Sequence, residues 1–138
     1  MPRTLEVRVD QAGPTTGQGT VRTHSVLIDR PVEKGGADRG PMGGELMLLS
    51  LGGCFLSNLL AAVGSRSAEV SNVRIAVIGT IGGSPDRVEA IDMRITARYS
   101  DTELMRKLVA IAERGCLVTN TLKTALVISI AVEREGAL

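Results

Sequence analysis

The segment from Leu46 to Ser65 contains twenty consecutive residues without a charge, LMLLSLGGCFLSNLLAAVGS. A helix of about this length is sufficient to cross a membrane. Small and polar residues interrupt the segment, however, and strand-like segments with alternating apolar residues lie on both sides of it; the interrupting residues are Ser50, Gly52, Gly53, Ser57 and Asn58. We therefore predict a long helix that is buried in a globular core or in a subunit interface.

Alternating apolar residues predict the strands of this protein. Residues 4–10 (TLEVRVD) and residues 20–29 (TVRTHSVLID) predict an antiparallel hairpin at the N-terminus. Residues 72–82 and residues 87–99 predict a second pair of strands, and residues 125–133 predict a last strand. Because these strands are interrupted by helices and alternate as antiparallel strands do, the sequence predicts an α+β fold.

Two shorter helices are predicted between the second pair of strands and the last strand. The sequence Ser100-Asp101-Thr102-Glu103 fits a capping box in which Ser100 caps the first of them. This helix ends at Gly115, and Cys116 opens a short second segment, CLVTNTLK. The apolar stripe of the first helix, which ends at Gly115, consists of Leu104, Leu108, Ile111 and Ala112.

Neither an internal repeat nor a domain boundary is evident in the sequence, so we predict a single domain over residues 1–138. A helix as apolar as residues 46–65 needs cover on nearly every side, and few strands are available in one chain to provide it. Burial between two subunits satisfies this need, and we therefore expect a two-fold homodimer.

The composition excludes several classes of protein. The 16 Lys and Arg residues against 15 Asp and Glu residues give a net charge of +1, without the basic surface typical of nucleic-acid binders. One histidine and two widely separated cysteines form no zinc-binding motif, so we expect no metal. The N-terminal sequence MPRTLEVRVD carries charges where a signal peptide has an apolar run, which predicts a cytoplasmic protein with reduced thiols.

The cysteines Cys54 and Cys116 are the main candidates for chemistry. Gly52 and Gly53 precede Cys54, and each glycine inside a helix costs about 1 kcal/mol relative to alanine, which indicates close packing there. Cys116 begins a helical turn, where free N–H groups stabilise a thiolate. Two interpretations stay open: two small buried apolar side chains, or a redox pair that reacts with a peroxide and closes a disulfide.

Other polar residues lie near the two cysteines in the sequence. Ser50 and Asn58 are four residues before and after Cys54, so all three share one face of the predicted helix. They line a site or they pack against a neighbouring helix. Thr119 and Asn120 are expected to cap or orient the turn that begins with Cys116.

Three stretches of the sequence resemble the OsmC/Ohr family (osmotically inducible protein C and organic hydroperoxide resistance protein). The string GPMGGELMLLSLGGC, which ends at Cys54, is similar to the helix that leads to the family's first cysteine. GCLVTNTL around Cys116 resembles the CPxSN segment around the second cysteine. HSVLID, followed by Pro31 and then Gly35-Gly36, resembles the H-x-x-x-x-D-x-P…GG run of OsmC-like members.

This resemblance covers almost the whole chain and implies both a fold and an activity. The fold is an OsmC-like α+β fold, with antiparallel strands around a long buried central helix, in an intertwined homodimer. The activity is that of a thiol-dependent peroxidase for organic hydroperoxides, in which Cys54 is the peroxidatic cysteine and Cys116 the resolving one. An unidentified dithiol reductant restores the pair. The resemblance implies no bound cofactor or metal, while the near-neutral charge and the interrupted apolar segment predict no nucleic-acid and no membrane partner.

The resemblance also implies charged partners for the reactive thiol. The Ohr branch has a glutamate ten residues before its first cysteine; Gly44 occupies that position here, and Glu45 follows, as in other OsmC-like members. Nine residues on a straight helix are about half a turn out of phase, so Glu45 is predicted to cap the helix or reach across the dimer. Arg22, on the same predicted strand face as Val26, is the predicted cationic partner of the Cys54 thiolate.

Two other functions stay open. The first is a non-catalytic OsmC-like dimer that binds a small molecule in an interfacial pocket. The glycine at position 44 favours it, as does the usual place of the family's arginine, which falls near Thr15 or Thr16 in this sequence. The second is another thiol enzyme, such as a hydrolase with Cys54 as its nucleophile, which requires His24 beside Cys54 because this chain has no other histidine.

Overall fold

The computed structural model describes residues 1–124, 126–129 and 131–132. The chain divides into two compact units. The first consists of Met1–Gly53 and Val73–Thr96, and the second consists of Cys54–Asn72 and Ala97–Leu138. Each unit is thus assembled from two separate stretches of chain, and the single domain over residues 1–138 stays a prediction.

The described residues form a mixture of antiparallel strands and helices, which confirms the α+β class. In chain order the elements are β1 (Arg8–Gln11), β2 (Gly17–Val21), β3 (His24–Ile28), a short 3-10 helix (Val32–Lys34), α1 (Gly43–Ser65), β4 (Ser71–Gly82), β5 (Arg87–Arg98), α2 (Thr102–Gly115) and α3 (Leu117–Leu122).

The first unit contains an antiparallel sheet with the strand order β1-β2-β3. The prediction of one continuous strand over residues 20–29 is wrong, because Arg22 and Thr23 form a two-residue turn between β2 and β3. Gly19 lies opposite both Val9 and Val26, so these residues share one face. The glycine gives the valines room to cover it: a Cβ at Gly19 would lie 3.3 Å from Cγ1 of Val26.

A buried carboxylate holds the loop between β3 and α1. Asp29 is 3% exposed and accepts hydrogen bonds from the Thr16 hydroxyl at 2.8 Å and from the backbone N–H groups of Arg30 at 2.7 Å and Arg39 at 3.3 Å. Burial acts to raise the pKa of Asp29, but these donors and Thr15 hold that pKa well below its usual range. The ionised carboxylate therefore stabilises the loop at neutral pH, and this stabilisation is lost only as the pH falls through the lowered pKa.

The first half of α1 packs closely on the hairpin of β4 and β5. A Cβ at Gly52 would lie 2.9 Å from Cγ2 of Val77, and a Cβ at Gly79 would lie 3.2 Å from Cδ1 of Leu48. Helix and strand therefore approach each other through positions without side chains, as the glycine at position 52 predicts. Gly53 differs, because a Cβ there would meet no atom of the described chain within 4 Å.

The strands of this hairpin agree with their predicted bounds to within one residue. Their residues alternate between half-buried and exposed, so Val73, Ile75 and Val77 on β4 share one face, and Ile91, Met93 and Ile95 do the same on β5. The turn between them covers residues 83–86. Period-two patterns with one wet face thus located both strands correctly.

The second unit has an apolar core formed by the second half of α1 together with α2. Its most buried side chains are Phe55, Leu59, Ala62, Met105, Leu108 and Ala112. Asp101, one residue after the predicted Ser100, is the cap of α2, and its carboxylate accepts a hydrogen bond from the Leu104 N–H group at 2.9 Å. An aspartate suits this position because its negative charge also interacts favourably with the helix dipole.

Helix α1 is long and apolar enough to cross a membrane by length and composition, a test that the core helix of a soluble protein also passes. Of the 18 consecutive residues of α1 that are most apolar, 22% are buried within this chain. Leu49 and Leu60 are among its exposed side chains. The burial of the whole helix as a central element of a dimer stays a prediction.

The predicted last strand over residues 125–133 is not formed in the part of it that the structure describes. Residues 126–129 and 131–132 have no regular secondary structure, and residues 125, 130 and 133 lie outside the described residues. The alternating apolar residues of this segment predict one face that packs against other residues, but a strand also needs a neighbouring strand to which it hydrogen-bonds. The side chains of Leu126, Ile128 and Val132 are exposed.

The two adjacent glycines of α1 provide a matched test of this packing. We expect Gly52→Ala to lower the free energy of unfolding by about 1–2 kcal/mol, because the methyl group collides with Val77. Gly53→Ala has space and is expected to raise it by about 1 kcal/mol through helix propensity. Urea denaturation measures both, and equal effects of the two substitutions would contradict the described packing.

Candidate active site

The second unit contains both cysteines. Cys54 lies on α1 and is half-buried, whereas Cys116 lies between α2 and α3 and is fully buried. Both are free thiols, and their sulfur atoms are not at disulfide-bond distance. The Cys54 thiol is among the groups that lower the pKa of Cys116. The two cysteines, which are far apart in sequence, therefore lie in one compact unit.

Cys116 is held at a junction of two helices. Its N–H group donates to the Glu113 carbonyl at 3.3 Å and so ends α2. Its sulfur accepts a hydrogen bond from the Thr119 N–H group at 3.5 Å and so caps the start of α3. The backbone of Cys116 itself is extended, with φ −78° and ψ 108°. A side chain that caps a helix has little rotational freedom, so the position of this sulfur is fixed.

The surroundings of Cys116 favour its ionised form. Burial acts to raise the pKa of Cys116, but the Thr119 hydroxyl and N–H group, the Cys54 thiol and the Val118 N–H group together lower it below its usual value. The Thr119 hydroxyl is buried and has no resting hydrogen-bond partner among the described residues. Its proton is therefore available to a thiolate at Cys116.

Asn58 lies next to the Cys54 sulfur. Its Nδ2 atom donates to the Cys54 carbonyl at 2.9 Å and lies 3.9 Å from the Cys54 Sγ atom. The shared helix face that the spacing of these residues predicts is thus confirmed. Ser50, on the same predicted face, donates to the Met47 carbonyl at 2.7 Å and belongs to the first unit.

Arg22 occupies a different position from the predicted one. It is an exposed residue of the turn between β2 and β3, in the first unit, with a left-handed backbone at φ 54°. It therefore does not lie on a strand face with Val26, because the two-residue turn interrupts the strand before that point. Its role as cationic partner of the Cys54 thiolate stays a prediction, as does the contact of His24, an exposed residue at the start of β3, with that thiol.

Glu45 caps α1, which is one of the two roles predicted for it. Its carboxylate accepts a hydrogen bond at 2.8 Å from the backbone N–H group of Met42, the residue that precedes the helix. This is the reciprocal half of a capping box, and it satisfies one of the free N–H groups at the helix start. Glu45 also belongs to the first unit, and its reach across a dimer stays a prediction.

The sequence matches the family model of the OsmC-like proteins over residues 35–131, which include both cysteines and more than half of the chain. The chain belongs to the OsmC-like protein family. A search of curated proteins by sequence gives no match.

Solved structures of OsmC-like proteins share this fold. An OsmC-like protein of unknown function from Vibrio cholerae has a TM-score of 0.75 at 12% identity, covering 89% of this chain and 96% of that one. An OsmC-like protein from Mycoplasma pneumoniae has a TM-score of 0.70 at 15% identity, covering 89% of each chain. An organic hydroperoxide resistance protein from Elizabethkingia anophelis has a TM-score of 0.67 at 17% identity, covering 89% and 90%. The resemblance to the OsmC/Ohr family is confirmed.

The Thr119 hydroxyl provides a direct test of the environment of Cys116. In a Cys54→Ala background, which leaves one thiol, we expect Thr119→Val to raise the pKa of Cys116, because a donor to the thiolate is lost. The variant then needs a higher pH to form the same fraction of thiolate, as measured by the ultraviolet absorbance of the thiolate during a pH titration.

Thr121→Val is the matched control for this titration. Thr121 lies on the same short helix, and its hydroxyl donates to the Leu117 carbonyl at 2.7 Å and not to a sulfur. We expect the control to titrate like its parent. If Thr119→Val also titrates like the parent, the hydroxyl does not stabilise the thiolate.

Proposed function

We propose that this protein is a thiol-dependent peroxidase that reduces organic hydroperoxides through a cycle of thiolate, sulfenic acid and disulfide. The observation that carries the proposal is that Cys54 and Cys116, both free thiols, lie in one compact unit, where the Cys54 thiol is among the groups that lower the pKa of Cys116. Membership of the OsmC-like family indicates a redox role in peroxide stress, and a protein that shares this fold is described as an organic hydroperoxide resistance protein.

Cys54 is the cysteine that meets the peroxide in this proposal. It is half-buried, whereas Cys116 is fully buried, so a substrate reaches the Cys54 sulfur first. The Cys54 thiolate attacks the terminal oxygen of the hydroperoxide and the O–O bond breaks. The alkoxide takes up a proton and leaves as an alcohol, and the Cys54 sulfur becomes a sulfenic acid.

Cys116 resolves this sulfenic acid in the second step. Its thiolate attacks the Cys54 sulfur, the S–O bond breaks, and hydroxide leaves and takes up a proton to form water. The donors around Cys116 support this role, because they lower the pKa of Cys116 and so favour the thiolate that attacks. The two sulfurs have to approach to about 2.05 Å for the new bond. A dithiol reductant then returns both cysteines to thiols and is itself oxidised to a disulfide.

We also propose that the protein acts as a cytoplasmic homodimer. The sheet of the first unit exposes an apolar face that includes Val9, Val21 and Val26, and α1 exposes Leu49 and Leu60. Contiguous apolar surfaces of this kind mark interaction sites, since a monomer rarely leaves them in water. In the proposed dimer, a second copy of the chain covers these apolar surfaces and buries the central helix α1.

The roles of the two cysteines are tested by their serine variants in a cumene hydroperoxide assay with dithiothreitol as the reductant. We expect Cys54→Ser to lose at least about 1,000-fold in the rate of peroxide consumption, because the nucleophile is absent. Cys116→Ser is expected to form a sulfenic acid on Cys54 that dimedone traps, because no second thiol closes the disulfide.

Ser57→Ala, an exposed position on the same helix, is the control and is expected to turn over like the wild type. If Cys54→Ser consumes peroxide as fast as the wild type, the peroxidase assignment is wrong. The non-catalytic binding dimer is then the better description of this chain.

A further inference from the structure

We infer that Asn58 is a positioning residue that holds the Cys54 sulfur toward the helix junction carrying Cys116, so that the disulfide closes rapidly. The inference rests on the proposed two-cysteine cycle and assigns to Asn58 the geometry of its second step. Asn58 itself takes no part in bond formation, since its side-chain amide is neither a nucleophile nor a charged group.

The amide of Asn58 has one defined orientation. Its Nδ2 atom donates to the Cys54 carbonyl one helical turn earlier, at 2.9 Å, and this bond anchors the side chain along the helix. The same Nδ2 atom lies 3.9 Å from the Cys54 Sγ atom, within the longer range of hydrogen bonds to sulfur. A cysteine side chain has three staggered rotamers, and a donor at this position favours the one that places the sulfur beside Asn58.

The other end of the amide contacts the junction that carries Cys116. A Cβ at Gly115, the residue before Cys116, would lie 3.1 Å from Oδ1 and 3.8 Å from Cγ of Asn58. The backbone of Gly115 is not left-handed, so its conformation does not require a glycine. The space that Asn58 occupies does explain the glycine, because any side chain there presses against the amide.

Through these two contacts, one side chain links Cys54 to the residue that precedes Cys116. Its amide nitrogen is directed at the sulfur of Cys54, and its amide oxygen packs against the residue before Cys116. Loss of the amide frees the Cys54 sulfur to adopt rotamers that point away from the junction. Disulfide closure then slows, because only a fraction of the molecules has the sulfur in position.

Closure is measurable without a peroxide by reaction with DTNB, an aromatic disulfide that releases a coloured thiolate. The Cys54 thiolate attacks DTNB, one coloured thiolate leaves, and a mixed disulfide remains on Cys54. The Cys116 thiolate then attacks the Cys54 sulfur, the second coloured thiolate leaves, and the Cys54–Cys116 disulfide forms. With less than one equivalent of DTNB, no reagent is left for Cys116, so the rate of the second release reports closure and is informative even if the protein has no peroxidase activity.

We expect Asn58→Ala to slow the second release by about fivefold or more, the equivalent of about one lost hydrogen bond, with a smaller effect on the first release. Ser65→Ala is the matched control, because it removes another hydrogen bond from a side chain of α1 to a carbonyl, that of Ala62 at 3.2 Å, away from the sulfurs. A second release in Asn58→Ala as fast as in the wild type would overturn the inference.

Gly115→Ala tests the same contact from the other side, and it keeps the inference testable if Asn58→Ala does not fold. We expect Gly115→Ala to slow the second release in the wild type, because its methyl group displaces the amide. In the Asn58→Ala background the same substitution is expected to have no further effect. Equal effects in both backgrounds would show that Asn58 and Gly115 act independently, which contradicts the inference.

Discussion

The contact between the second half of α1 and the junction of α2 and α3 is the constraint on which the proposed chemistry of this protein depends. One residue, Cys116, ends one helix with its N–H group and caps the next with its sulfur, so the thiol has a fixed position. Cys54 lies on α1 in the same unit, and the small size of Gly115 leaves room for Asn58, whose amide donates to the Cys54 carbonyl. In the proposed pair, the backbone of this helix junction therefore fixes the position of Cys116.

The first unit is held together by close packing at glycines and by one buried charge. The hairpin of β4 and β5 and the first half of α1 approach each other closely at glycines, where a methyl group would already collide, as at Gly52 against Val77. The loop between β3 and α1 depends on one buried charge, that of Asp29, and several hydrogen-bond donors offset the free-energy cost of burying it. Both features constrain the folded chain. A buried carboxylate without hydrogen-bond donors is costly, and a void beside a glycine loses packing contacts.

The long helix, the second hairpin and the α2–α3 pair follow from the sequence because their patterns are local. The strand at Gly17–Val21 does not, since its glycines resemble a turn until Val9 and Val26 are seen to cover Gly19. The same limit applies to the site. Resemblance to a family identifies Cys54 and Cys116, but the contact of Asn58 with Gly115 joins residues far apart in sequence. No periodicity or spacing encodes such a contact, so only the folded chain reveals it.

We propose that an organic hydroperoxide, itself reduced to an alcohol and water, oxidises Cys54 and Cys116 of one chain to a disulfide. A peptide map under non-reducing conditions, after treatment with one equivalent of cumene hydroperoxide, tests this claim most directly. We predict that the peptides containing Cys54 and Cys116 are joined by a disulfide within a single chain, and that dithiothreitol separates them. Two free thiols after the treatment, or a disulfide that joins cysteines of different chains, would contradict the account.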